Sequence, residues 1–114
     1  MERFVEQALL YDFYGELLTD NQKQVFEDVV LNDYSLTEVA EEKGISRQGV
    51  HDLIKRTNKL LQEYEEKLHL VEKFLHVKEK VHQIHAVVEQ AEEIEKESLI
   101  RQIEAISNEI LEEL

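Results

Sequence analysis

Six side chains within a thirteen-residue window could read or grip a nucleic acid: Arg47, Gln48, His51, Lys55, Arg56 and Lys59. Arginine and lysine can bond guanine N7 and O6, and glutamine can bond adenine. Either cation can instead meet a phosphate. Between residues 46 and 60, four Lys/Arg side chains face only Asp52, a local balance of +3. The whole chain of 114 residues carries 26 acids against 13 bases, a net charge of −13. A chain this acidic does not coat phosphate indiscriminately, so the position of its cations decides whether it meets nucleic acid.

Other chemistry finds little support. Glu79, His82, His85 and Glu89 are spaced so that some could share a helix face as metal ligands. A dicarboxylate site in a helical bundle needs a second Glu-x-x-His helix and further inward Glu residues, and no second copy is present. Surface histidine is the better reading, and no metal or other cofactor is expected. The absence of Cys removes disulfides, zinc-thiolate sites and thiol nucleophiles. No GxGxxG, Walker sequence or nucleophile elbow occurs. With so many acids, neighbouring carboxylates are unavoidable and carry no meaning. The sequence reads as non-enzymatic. Charges interrupt every apolar run of the first eighteen residues, so no signal peptide is expected. Nowhere do about 18 consecutive apolar residues occur, which excludes a membrane-spanning stretch and leaves a soluble, cytoplasmic protein as the expectation.

The elements that must position the basic window are helices. Pro is absent and Gly occurs three times, too little punctuation for a sandwich or barrel. An all-α fold is expected. A first helix runs from about Glu2 to Gly15 or Leu18, with Phe4, Val5, Ala8, Leu9 and Phe13 at roughly helical spacing. Thr19 and Gln22 form a capping box that opens a second helix through about Leu31, stopped by Asn32-Asp33. Ser35 and Glu38 form another and open a short third helix that ends near Lys43, where Gly44 supplies a left-handed cap. Ser46 caps a fourth. Tyr11, Phe13, Tyr14, Phe26 and Tyr34 could stack bases, but they read more readily as core.

The third and fourth helices fit a helix-turn-helix. Ala40 is small where the two helices approach, Gly44 stands four later at the turn, Val39 and Ile45 seal the corner, and Val50 and Leu53 hold the second helix on the first. At about 100° per residue from Arg47, the residues Val50, Leu53, Ile54, Thr57, Leu60, Leu61 and Tyr64 fall between about 220° and 340°. Arg47, Gln48, His51, Asp52, Lys55, Asn58 and Lys59 fall between about 0° and 140°. The polar face is either simply solvated or the face that meets nucleic acid, and its coincidence with the recognition helix favours the second.

Beyond the motif, Val50, Ile54, Thr57, Leu61, Tyr64, Leu68, Val71 and Leu75 step by four and three, the heptad signature. The phase slips to Val77, Val81, Ile84 and Val88, and again to Leu99, Ile103, Ile106 and Ile110. Such slips predict antiparallel helices broken near 68–70 and 91–98, with Glu89–Ser98 as the polar connection. Residues 89–114 hold 9 acids and 2 bases. This tail reads as a solvated helix, or as an element that repels DNA, raises solubility or meets a basic protein surface.

The phrases LLTDNQ, DYSLTEVAEE and ISRQGVHDLIKRT resemble the YlxM-like family of small bacterial helix-turn-helix proteins, well over residues 11–68 and loosely in the tail. That family is similar to region 4 of sigma factors, which reads promoter DNA. Its genes commonly lie beside those of the signal recognition particle GTPase and its receptor. The resemblance therefore implies a DNA-binding regulator linked to protein targeting, or an interaction protein whose partner is that GTPase or its RNA. Gly49 stands where the family usually has Ala, at a cost of roughly 1 kcal/mol of helix propensity. Lys43 stands where an apolar residue is usual, and its methylene stem can still cover the core. The expected organisation is a helix-turn-helix domain over 1–68 and a helical tail over 69–114, packed on the first part or pairing between chains as a homodimer through the region after residue 60.

Overall fold

A computed structural model describes residues 3–114 and contains six α-helices, with no strand among the described residues. They are α1 (Arg3–Tyr14), α2 (Asp20–Phe26), α3 (Leu36–Lys43), α4 (Arg47–Leu68), α5 (Leu70–Glu89) and α6 (Lys96–Glu113). The proposed start of the first helix at Glu2 lies outside the described residues. The chain divides into two compact units, Met1–His69 and Leu70–Leu114.

In the first unit, α1, α2 and α3 each pack on α4. The caps arise where the side chains demand them. Thr19 accepts from the Gln22 amide at 3.2 Å while Gln22 accepts from the Thr19 amide at 2.9 Å, a complete capping box. Ser35 accepts from the Glu38 amide at 3.1 Å, but here the reciprocal bond differs: the hydroxyl donates to the Glu38 carboxylate at 3.2 Å. Glu38 thus closes on the side chain of the cap and not on its backbone.

Three features depart from the sequence reading. The second helix does reach Leu31, but Glu27–Leu31 is a π-turn, closed by the Asn32 amide on the Glu27 carbonyl at 2.8 Å. The wider turn leaves the consecutive apolar residues Val29, Val30 and Leu31 all half-buried. The buried side of α1 is Leu10 and Tyr14, whereas Phe4, Val5 and Phe13 are exposed. Tyr14 sets this face: its ring is buried against Tyr64, and its hydroxyl donates to Glu65 of α4 at 2.5 Å. Tyr11 stacks on Phe26 with centroids 5.0 Å apart and donates to Glu27. Tyr14 and Phe26 are therefore core aromatics and Tyr11 is half-buried against Phe26, while Phe13 and Tyr34 are exposed.

Helix α4 ends at Leu68 because His69 takes a left-handed conformation, φ 56°, and donates its amide to the Glu65 carbonyl at 2.8 Å. Histidine is among the few non-glycine residues that visit this region with some frequency. The second unit is an antiparallel hairpin of α5 and α6, tied by His76–Glu113 at 2.9 Å and Lys80–Glu109 at 2.5 Å. A 3₁₀ turn over Ala91–Glu93 and an extended Glu95 connect the helices, so α6 begins inside the expected linker. Val71, Val87 and Ile106 are its buried side chains, while Val81 and Val88 of the expected stripe are exposed.

Candidate nucleic-acid interface

Helices α3 and α4 meet around one apolar knot. Val25, Val39, Ala40 and Val50 are buried together, and Val29, Leu36, Leu53 and Ile54 close over them. Ala40 leaves room for α4 because it carries only a methyl group. Gly44 holds the turn at φ 68°, and the Ile45 amide reaches back to the Ala40 carbonyl at 3.1 Å. Any side chain at that φ costs about 1–2 kcal/mol. Ser46 then caps α4 through the Gly49 amide at 2.9 Å.

Ile45 does not seal this corner. It is 45% exposed, and it lies beside Gly49, where a Cβ would stand 3.8 Å from its Cδ1. Lys43 sits half-buried with its ammonium donating to Gln24 at 2.6 Å, which holds the end of α3 against α2.

This scaffold fixes what α4 shows to solvent. Arg47, Gln48, His51, Lys55, Arg56 and Lys59 are all exposed, and Asn58 is half-buried. Arg47, Gln48 and His51 line one hollow of about 350 Å³ with Leu36 of α3. Asp52 stands among them: the Gln48 amide donates to it at 3.0 Å, and His51 Nδ1 lies 3.7 Å away. Gln48 retains its carbonyl and one N–H, the pair that a bidentate bond to adenine uses. Neither Arg47, Lys55, Arg56 nor Lys59 has an acidic partner among the described residues, although the chain has 26 acids.

A groove of about 570 Å³ continues along α4, lined by His51, Ile54, Lys55, Arg56, Asn58, Lys59 and Gln62, with Arg3 of α1 on its other side. Sequence reasoning missed Arg3, because no spacing rule links it to a window more than forty residues away. Its signal is only that it is one of two bases in the first 34 residues. Elsewhere, Glu79, His82, His85 and Glu89 stand exposed on α5, and no three metal-ligating side chains come together among the described residues.

A turn of this geometry between two capped helices, the second with a cationic outer face, is the arrangement found in helix-turn-helix proteins. The family model UPF0122, "Putative helix-turn-helix protein, YlxM / p13 like", matches residues 1–105. The chain belongs to this family. Among its relatives, a UPF0122 protein of Thermoanaerobacter sp. (strain X514) is 46% identical over 110 residues, covering 96% of this chain and 94% of that protein. One from Caldanaerobacter subterraneus subsp. tengcongensis is 59% identical over 70 residues, 61% of this chain and 60% of its own. One from Lactococcus lactis subsp. cremoris (strain MG1363) is 54% identical over 75 residues, 66% of this chain and 68% of its own. As a UPF0122 protein the chain is all-α, and no helix of its described residues is long and apolar enough to cross a membrane.

Proposed function

We propose that this UPF0122 protein is a DNA-binding regulator that lays the first turns of α4 in the major groove. The observation that carries this reading is the exposed set of Arg47, Lys55, Arg56 and Lys59 on the second helix of the motif, none of them paired with an acid among the described residues. Arg47 and Gln48 stand at the end of α4 that contacts base edges in such motifs, and the lysines further along meet phosphate. Mobility shift on duplexes selected from a random-sequence library tests it. Recovery of a preferred sequence supports the reading, and failure to retain any duplex at low salt overturns it.

The second reading is favoured by the net charge of −13, which weakens attraction to DNA outside the basic window. It makes the partner the signal recognition particle GTPase or its RNA. Binding of either without DNA, or a change in GTP turnover, decides for it. Both readings place the protein in the cytoplasm, in or near protein targeting.

A homodimer suits the DNA-binding reading, because two recognition helices read two half-sites. Leu61 and Val71 of the long heptad stripe are buried within one chain, Tyr64 and Leu75 half so. Leu68 of the same stripe stays exposed, as do Val81 and Val88 at a seven-residue step on α5, and these are apolar side chains that a partner copy would cover. Light scattering across concentrations tests pairing; a 13.5 kDa species throughout rejects it.

A further inference from the structure

We infer that the groove between Arg3 and the middle of α4 is a phosphate-backbone site, distinct from the base-reading hollow at Arg47 and Gln48. It rests on the DNA-binding reading and extends it to a second element of the fold.

The lining is the first argument. His51, Lys55, Arg56, Lys59 and Arg3 surround the groove, and no acidic side chain among the described residues takes part. In a chain with twice as many acids as bases, gathering four permanent cations around one concavity without a counter-charge leaves repulsion that an anion relieves. Geometry is the second. Lys55 and Lys59 follow one another by about 6 Å along α4, so the charge is presented as a line and not as a point. Arg3 faces this line from another helix, held there by the packing of α1 on α4. A line of cations faced by Arg3 across the groove suits a strand of phosphodiesters. Third, Asn58 lies in the same lining, and its Oδ1 is secluded without a hydrogen-bond partner among the described residues. With that oxygen secluded, the N–H groups are the end of the amide left to meet a phosphate oxygen.

Backbone contacts add affinity without sequence preference, and each lost contact flattens the salt dependence by about 0.9 per decade. At about 0.1 M salt this amounts to roughly eightfold in affinity per phosphate. The test is fluorescence anisotropy with a labelled mixed-sequence duplex and with a selected duplex, over a range of salt. Circular dichroism of each variant checks the fold. Arg3→Ala is expected to weaken both duplexes by the same factor and flatten both slopes, and Arg3→Lys to restore them. Arg47→Ala is expected to reduce the preference between the duplexes. If Arg3→Ala keeps affinity and slope while Arg47→Ala weakens binding, the groove is overturned and the recognition-helix reading stands. If Arg3→Ala weakens binding and Arg47→Ala does not, the groove stands and the recognition-helix reading falls. If neither has an effect, both fall.

Discussion

Replacing Gly49 by Ala sets two effects against each other at the first turn of α4. An interior Gly costs about 0.8–1 kcal/mol of helix propensity relative to Ala. Against this, a Cβ at position 49 would stand 3.2 Å from Ser46 Oγ, closer than an ordinary contact, and 3.8 Å from Ile45 Cδ1. The cap must therefore yield by a few tenths of an ångström. The same chain shows that it can. At Thr19/Gln22 and Ser35/Glu38 the residue whose amide donates to the cap carries a full side chain, and the cap bonds are 3.2 and 3.1 Å, against 2.9 Å at Ser46/Gly49. Relaxing Ser46 to those lengths keeps the bond within normal range. The new methyl group also gives Ile45 the contact it lacks. We expect Gly49→Ala to stabilise the protein by about 0.5–1 kcal/mol. Urea unfolding measures it: with a slope of about 2 kcal/mol/M, the midpoint rises by roughly 0.3–0.5 M. A lowered midpoint at unchanged slope would show that the clash with the cap dominates and refute the reasoning.

Other substitutions test other parts of the account. Thr57 is buried with its hydroxyl unpartnered among the described residues, so Thr57→Val should raise stability by about 1 kcal/mol in the same urea assay. Phe26 is fully buried and stacked on Tyr11, so Phe26→Ala should cost about 3–5 kcal/mol and lower the thermal midpoint sharply. Burial, reinforced by the hydrogen bond to Glu27 and the charges of Glu27 and Glu16, pushes the Tyr11 phenol above its ordinary value of 10.0. Its proton is thus held more tightly when folded, and the stability it confers is complete below pH 10 and declines above it. Tyr11→Phe should accordingly lose less stability than wild type between pH 10 and 11 in parallel unfolding titrations. Asp52→Asn removes the one acid of the basic window, and should raise duplex affinity for every sequence in anisotropy assays.

What was legible in the sequence was mostly local. Ser35, Ser46, Thr19 and Gly44 announce their caps because each satisfies orphaned backbone groups by its own side chain or its φ, and the structure uses all four. The second slip in heptad phase, between Val88 and Leu99, brackets the end of α5, whereas the first, between Leu75 and Val77, falls inside α5, and the heptad steps run unbroken past the end of α4 at Leu68. The π-turn at Glu27–Leu31 left no such mark: it follows from packing, and α-helix and π-turn share the same residues. Burial on α1 was misread because Phe4, Val5 and Phe13 are apolar yet exposed, while Tyr14 enters the core with its hydroxyl on Glu65 and Tyr11 lies half-buried with its hydroxyl on Glu27. At the candidate interface, the wheel placed Arg47 to Lys59 on the outer face of α4. It could not show Arg3 across the groove or the bond from Gln48 to Asp52.

The central claim is that the cationic face of α4 binds duplex DNA. The most direct measurement is the salt dependence of duplex binding by the wild type beside the Lys55→Ala/Lys59→Ala double variant, with circular dichroism confirming that both are folded. Two lost phosphate contacts should weaken binding and make the slope of log affinity against log salt shallower by about 1.8. A folded double variant with unchanged affinity and unchanged slope would contradict the claim.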